Sequence, residues 1–114
     1  MNKSFPNKYR NIKTVIDNVG FSSKAEARRY QELKLLLKAK KIHSLELQPR
    51  FPLQPAFTDE MGNRHKKIEY VADFIYNEKG QVIVEDVKGI KTEVYRLKKK
   101  LFLHKHRGII FRES

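Results

Sequence analysis

From Glu69 to Gly89 the chain reads EYVADFIYNEKGQVIVEDVKG, and the fold follows from how this stretch is read. Two runs of strand-like alternation flank Asn77-Glu78-Lys79-Gly80, a turn signal that ends in glycine. In the first run Ile68, Tyr70, Ala72, Phe74 and Tyr76 fall on one face, with Val71, Asp73 and Ile75 on the other. In the second, Val82, Val84, Asp86 and Lys88 share a face opposite Ile83, Glu85 and Val87. A carboxylate thus interrupts one apolar strand, and a carboxylate and a lysine stand two residues apart on its neighbour. Two carboxylates about 4 Å apart repel by about 4 kcal/mol at an effective dielectric of about 20. Such a pair persists where a divalent cation, a lysine or both neutralise it. Mg²⁺ commonly takes one or two protein carboxylates plus water and substrate phosphate oxygens, so Asp73 and Asp86 are candidate ligands. Lys88 is then a candidate for holding or deprotonating a metal-bound water. A surface Asp–Lys pair on a half-exposed sheet is the plainer alternative.

Working outward, Ser23-Lys24-Ala25-Glu26 opens a helix expected to reach about Lys40. Ser23 with Glu26 three residues on is a capping box, which gives Glu26 a purely structural role. Yet Glu26, Tyr30, Leu33 and Leu37 also fall on one helical face, so Glu26 begins the inward stripe. Lys24, Arg28 and Lys38 mark the wet side. Cap and ligand both stand as readings of Glu26. Before the helix, Ile12 to Phe21 alternates weakly around Asp17-Asn18, a short hairpin. Residues 1–11 are polar and basic, either an arm that lies along a phosphate backbone or a solvated tail.

Leu45, Leu47, Phe51 and Leu53 alternate with polar residues and predict a strand, confined to an edge or cut short by Pro49 and Pro52. Pro49, Pro52 and Pro55 at intervals of three also fit a polyproline ligand, which would waste the apolar alternation. Gln48 is a candidate for reaching the active face, against the reading of a plain polar strand residue. A turn-rich connection over 57–67 ends in Arg64-His65-Lys66-Lys67. Thr92 is a candidate N-cap for a second helix, about Glu93 to His106, with Val94, Leu97, Leu101 and His104 as its packing stripe and Tyr95 and Phe102 beside it. Its basic run, Lys98, Lys99, Lys100, Lys105 and Arg107, is either simply solvated or a phosphate track. Gly108 is the expected residue just past the helix cap, and Ile109-Ile110-Phe111 a last strand.

Bulk properties narrow the class. At 114 residues the chain is one domain. Its 25 Lys and Arg against 13 acidic residues give a formal charge of +12, which points to polyanionic partners, nucleic acid first. With no cysteine there is no disulfide framework and no thiolate zinc site. No apolar run long enough for a membrane span or a signal peptide is present, so a cytoplasmic protein without membrane association is expected. His43, His65, His104 and His106 lack zinc-ligand spacing. No phosphate-binding glycine loop or nucleophile elbow occurs.

The elements therefore run helix, three strands, helix, strand, with acids on the first helix and on the second and third strands. Asp73, followed thirteen residues later by Asp86-Val87-Lys88, resembles the Asp…(Asp/Glu)-x-Lys signature of the restriction-endonuclease-like, or PD-(D/E)XK, nucleases. Glu26 resembles the extra helical acid of the Holliday junction resolvase and Tn7-type transposition endonuclease branches. Ser23-Lys24-Ala25-Glu26-Ala27, Leu47-Gln48-Pro49, Ala72-Asp73-Phe74 and Glu85-Asp86-Val87-Lys88-Gly89 look more closely like a small endonuclease family of phages and prophages, over about Lys8 to Phe111. Ala72 stands where the superfamily's name has proline. Glu85 and Asp86 compete for the second acid, and alternation favours Asp86, which shares a face with Lys88.

The resemblance implies an αβββαβ core, a mixed central sheet flanked by helices, preceded here by the hairpin. It implies a basic arm over 1–11 and one nuclease domain over 12–114. It also implies a Mg²⁺- or Mn²⁺-dependent endodeoxyribonuclease acting on branched or duplex DNA, such as a Holliday junction in phage recombination or replication. Asp73, Asp86, Glu26 and the Val87 carbonyl would hold the ion, with Lys88 orienting the nucleophile. Lys98, Lys99, Arg96 and Gln48 would contact DNA, and symmetric cutting would call for a homodimer. The expectation from another class is a basic accessory protein that binds nucleic acid without cutting it.

Overall fold

The structure, a computed structural model, describes residues 14–87 and 91–114. The expected arm over 1–11 and Lys88 lie outside the described residues. The hairpin comes first, β1 (Thr14–Ile16) and β2 (Val19–Phe21), turning through Asp17 and Asn18 at φ of 54° and 63°. These two residue types tolerate the left-handed conformation that a two-residue hairpin turn needs. Helix α1 (Lys24–Lys38) follows, with the Glu26 N–H donating to Ser23 Oγ at 3.1 Å. Glu26, Ala27, Tyr30 and Leu33 form its buried face, as the periodicity requires. It ends two residues before the expected Lys40, which turns out of the helix at φ 60°.

The strands are β3 (His43–Leu47), β4 (Arg50–Gln54), β5 (Phe57–Thr58), β6 (Arg64–His65), β7 (Ile68–Val71), β8 (Phe74–Glu78) and β9 (Gln81–Asp86). Helix α2 (Glu93–Lys105) and strand β10 (Ile110–Glu113) complete the chain. The central sheet has the order β10-β9-β8-β3, with β10 parallel to β9 and the other pairs antiparallel. A parallel neighbour needs a long crossover, and α2 supplies it. On one face α1 packs Ala27, Tyr30 and Leu33 against Phe74, Tyr76 and Ile83. On the other, Phe102 of α2 packs against Tyr70, Ala72 and Val84. The fold is thus mixed α/β, a mixed central sheet with a helix on each face and an N-terminal hairpin, as expected.

Three local expectations fail. First, the run from Ile68 to Tyr76 is not one continuous strand, whereas the run from Leu45 to Leu53 lies at the sheet edge and is cut short at Pro49 as expected. The ribbon of β3–β4 against β7–β8 breaks at Gln48-Pro49 and at Ala72-Asp73, so that β4 and β7 pair with each other outside the central sheet. Pro49 has no N–H and Gln48 lies at φ 50°, so the ladder cannot run straight through. Two hydrogen bonds stitch the bend, Gln48 N–H to the Asp73 carbonyl at 2.9 Å and Ala72 N–H to the Pro49 carbonyl at 3.2 Å. Tyr70 and Ala72 consequently join the core under α2, whereas Phe74 and Tyr76, of the same parity, join the core under α1.

Second, α2 is rotated from its expected stripe. Val94, Leu97 and Leu101 are 63%, 58% and 45% exposed, and Phe102 is the residue it buries, with Tyr95 and Leu103 packed alongside. Lys98 and Lys99 sit half-buried on this inner side, covering apolar surface with their stems. Lys99 reaches Glu113 at 3.3 Å and lies 4.7 Å from the centre of the Phe111 ring. Third, His106 caps α2 and Gly108 is not in the left-handed region, so it is not the glycine that ends the helix.

Candidate functional site

The bend in the ribbon places Asp73 at the end of the central sheet, where three acidic side chains from distant parts of the chain approach one another. The Asp73 N–H donates to Asp86 Oδ1 at 2.9 Å, and Asp73 Oδ2 accepts from the Val87 N–H at 2.7 Å. The Asp73 carboxyl also faces that of Glu26, which helps to raise it. Glu26, the first inward residue of α1, is buried, and its Oε1 also accepts from Ser22 Oγ at 2.8 Å and Ser22 N–H at 3.2 Å. It therefore caps the helix, one residue further back than a capping box would have it, and meets Asp73 as well. Asp86 is fully buried and accepts a hydrogen bond from Tyr70 OH on Oδ2.

This crowding has an electrostatic signature. Burial, then the hydrogen bond and charge of Glu26 and the charge of Asp86, push the Asp73 carboxyl up to about 8, against the lowering effect of the Val87 N–H. Among the described residues no cation forms a salt bridge with Asp73 or Glu26. Burial and then the neighbouring Asp86 raise the Tyr70 hydroxyl far above its ordinary value, so it remains a donor to Asp86.

The neighbouring Glu85 points to the opposite face and is fully buried in a closed network. Arg29 donates to it through Nε at 2.5 Å and Nη2 at 3.1 Å, Tyr76 OH at 2.5 Å and Ser114 Oγ at 2.6 Å. Burial raises its carboxyl, but the hydrogen bonds from Arg29, Ser114 and Tyr76 outweigh that and hold it below the usual range. Alternation along β9 separates the two acids correctly, with Asp86 on the side of Asp73 and Glu85 tied into the core.

Other sequence candidates fall at varying distances from these acids. Gln48 is exposed, and its backbone bond to Asp73 keeps it beside the acids. Arg96 is exposed on α2 and Lys98 faces a depression on β4–β7, whereas Lys99 is engaged by Glu113. Lys88 lies outside the described residues, and the Val87 contact that is present is its amide with Asp73. Reading the sequence missed Tyr70, Arg29, Ser22 and Ser114. Arg29 carried a usable signal, since it lies one helical turn after Glu26 on the same side of α1.

Among the described residues, no group of three or more His, Cys, Asp or Glu side chains stands in metal-holding geometry. The side chains that do meet are Glu26 and Asp73, with Asp86 attached through the Asp73 amide. Two carboxylates supplemented by water are a sufficient protein contribution for Mg²⁺, so the donor chemistry fits that ion. A cation there would offset the burial and the acidic neighbours that raise Asp73.

Among the described residues, no helix is long and apolar enough to cross a membrane. No curated protein and no solved structure matches the chain. A family model does match over residues 6–113, nearly the full length, and the chain belongs to that family, described as protein of unknown function (DUF1064).

Proposed function

We propose that the protein is a Mg²⁺- or Mn²⁺-dependent DNA endonuclease of the restriction-endonuclease-like kind. The observation that carries this reading is Asp73, held between Glu26 and Asp86 with its carboxyl raised to about 8 by burial and by these two acids. Asp73 and Glu26, forced together with no salt-bridge partner among the described residues, mark a site poised for a cation. The formal charge of +12 and the central sheet, in which β3, β8 and β9 fall between the two helices and β10 follows α2, support the same reading.

In this reading a bound ion lowers the pKa of water and stabilises charge on the scissile phosphate. Asp73 and Asp86 hold the ion, Glu26 completes or orients its shell, and the Val87 carbonyl is a further ligand. The Tyr70 hydroxyl and the Asp73 amide keep the Asp86 carboxylate fixed. Lys88 orients the attacking water. Gln48, Arg96 and Lys98, with the N-terminal arm, hold the backbone and supply affinity without sequence readout. Lys99 adds charge to the same face while bound to Glu113. The substrate is branched DNA, cut by a homodimer in the cytoplasm, in a recombination or replication setting.

A panel of linear, nicked, flapped and four-way DNA, each with Mg²⁺ and Mn²⁺, tests the proposal. Cleavage is expected, abolished by Asp86→Asn with binding largely kept; undiminished cutting in that variant or in excess chelator refutes it. A non-catalytic nucleic-acid-binding protein is the second reading, favoured by the absence of a three-ligand group among the described residues. It predicts steeply salt-dependent binding and no cleavage with any metal.

A further inference from the structure

Beyond the central sheet the bent ribbon continues into the small hairpin of β5 and β6. Every residue from Pro55 to Ile68 except Asp59 is exposed, so this hairpin stands clear of both cores. Two-residue strands cannot hold a register by their own ladder. Here the turn is organised by Asp59. Its Oδ1 accepts from Met61 N–H at 2.9 Å and Asn63 N–H at 3.0 Å, and its Oδ2 lies 2.7 Å from His65 Nε2. Backbone bonds from Asp59 N–H to the Asn63 carbonyl and from Gly62 N–H to the Asp59 carbonyl close the loop. Gly62, at φ 87°, supplies the left-handed residue that this turn requires.

This ordered turn presents an apolar side chain to solvent, Met61, 86% exposed at the tip. Just behind it Phe57 and the His65 ring stack with centroids 4.7 Å apart and planes 17° from parallel, a flat, exposed aromatic platform. A mere connection needs neither feature.

Between the hairpin and the acids lies a depression of about 610 Å³ bordered by Arg50, Lys66, Lys67, Glu69, Val71 and Lys98. Glu69 pairs with Arg50 at 3.2 Å and Lys67 at 3.5 Å, while Lys66 and Lys98 have no ion-pair partner among the described residues. At a strand rise of about 3.3 Å per residue, Lys67 lies roughly 20 Å along the ribbon from Asp73. That is about six base-pair steps of a duplex.

We propose that the β5–β6 hairpin is a wedge that seats Met61 against an interrupted base step at a DNA branch point while Lys66 and Lys98 hold the adjoining phosphates. Methionine is among the side chains that proteins insert between base steps, and a branch point is where unstacking costs least. The cations beside the wedge favour DNA over a protein partner. The inference rests on the DNA-directed reading above and assigns the feature that tells branched from linear substrate.

The experiment uses the full chain without divalent metal, so it reads binding and not cutting. Four-way and linear DNA of matched sequence carry 2-aminopurine beside the branch position. Wild-type protein should raise the fluorescence of the four-way probe only. Met61→Ala should remove that rise and weaken four-way binding roughly tenfold, the size of one lost base contact, with linear binding unchanged. Lys66→Ala with Lys98→Ala should weaken both probes alike. Met61→Ala behaving as wild type, or no rise in the wild-type protein, overturns the wedge. Discrimination by a protein that cuts nothing sustains the wedge and sinks the nuclease reading, so the two failures are distinguishable.

Discussion

Glu85 and Asp86 are adjacent on β9, both fully buried, and they sit in opposite electrostatic worlds. Glu85 meets Arg29, Tyr76 and Ser114, which satisfy its oxygens and hold its carboxyl low. Asp86, one residue on, joins a cluster in which the central acid, Asp73, faces further acids and is pushed up to about 8. A buried acid whose counter-charge is built in stabilises a fold. An acidic cluster whose central members, Asp73 and Glu26, meet no cation among the described residues is unfavourable until something arrives. The difference teaches how to sort acids on one strand into structural and functional sets without knowing the reaction.

Substitutions on the two sides of β9 should therefore fail in opposite ways. Asp73→Asn is expected to lower cleavage of four-way DNA by at least about a hundredfold, the loss typical of one key electrostatic group, while the melting temperature holds or rises. Activity and thermal melts on the same preparation check both halves. Arg29→Ala should do the reverse. It leaves Glu85 buried without its cation and should cost about 3 kcal/mol in denaturant unfolding, at the low end for such losses because Tyr76 and Ser114 remain. Cleavage per folded molecule should be unchanged.

The two sides should also respond oppositely to pH. In the metal-free fold Asp73 keeps its proton up to about 8, whereas the unfolded chain releases it near the ordinary value of 3.8. The stability this contributes is complete below the lower value and drains away as pH rises towards the upper one. Glu85 is lowered, so its contribution is present above the ordinary value of 4.5 and is lost as pH falls through the folded one. Thermal melts without metal should therefore decline on both sides of a mildly acidic optimum. Asp73→Asn, or added Mg²⁺, should flatten the alkaline side alone. The smallest expected effect is Gly80→Ala. Gly80 closes the β8–β9 turn at φ 79° with open space around it, so the strain of that conformation should cost about 1 kcal/mol and leave specific activity intact.

Much of this was legible in the sequence wherever a local rule had no competitor. Asp17-Asn18 and Lys79-Gly80 marked their hairpin turns, and Ser23 and Thr92 marked the helix starts. Parity along β9 sorted Glu85 from Asp86. Parity failed between Tyr70 and Phe74 because the ribbon bends at Asp73, a tertiary event driven from Pro49, more than twenty residues upstream. The α2 stripe was misread because hydrophobicity alone ranked Val94 and Leu97 above Lys98 and Lys99. Long lysine stems packed inward instead, and Glu113 fixed one of their heads. The spacing around Glu26 fits both a cap and an inward-facing acid, and one carboxyl group bonds Ser22 and acts on Asp73. Tyr70 as the partner of Asp86 had no local signal, since the contact spans sixteen residues and depends on the bend.

The central claim is that the cluster at Asp73 takes a divalent cation, and calorimetric titration of Mn²⁺ into the DNA-free protein at about pH 7 tests it most directly. Because Asp73 is protonated there, binding should release a proton, seen as a heat that changes with the buffer's ionisation enthalpy, and Asp73→Asn should abolish both the binding and the release. Saturation by the variant with the wild-type isotherm, or no saturable binding by the wild-type protein, would contradict the account.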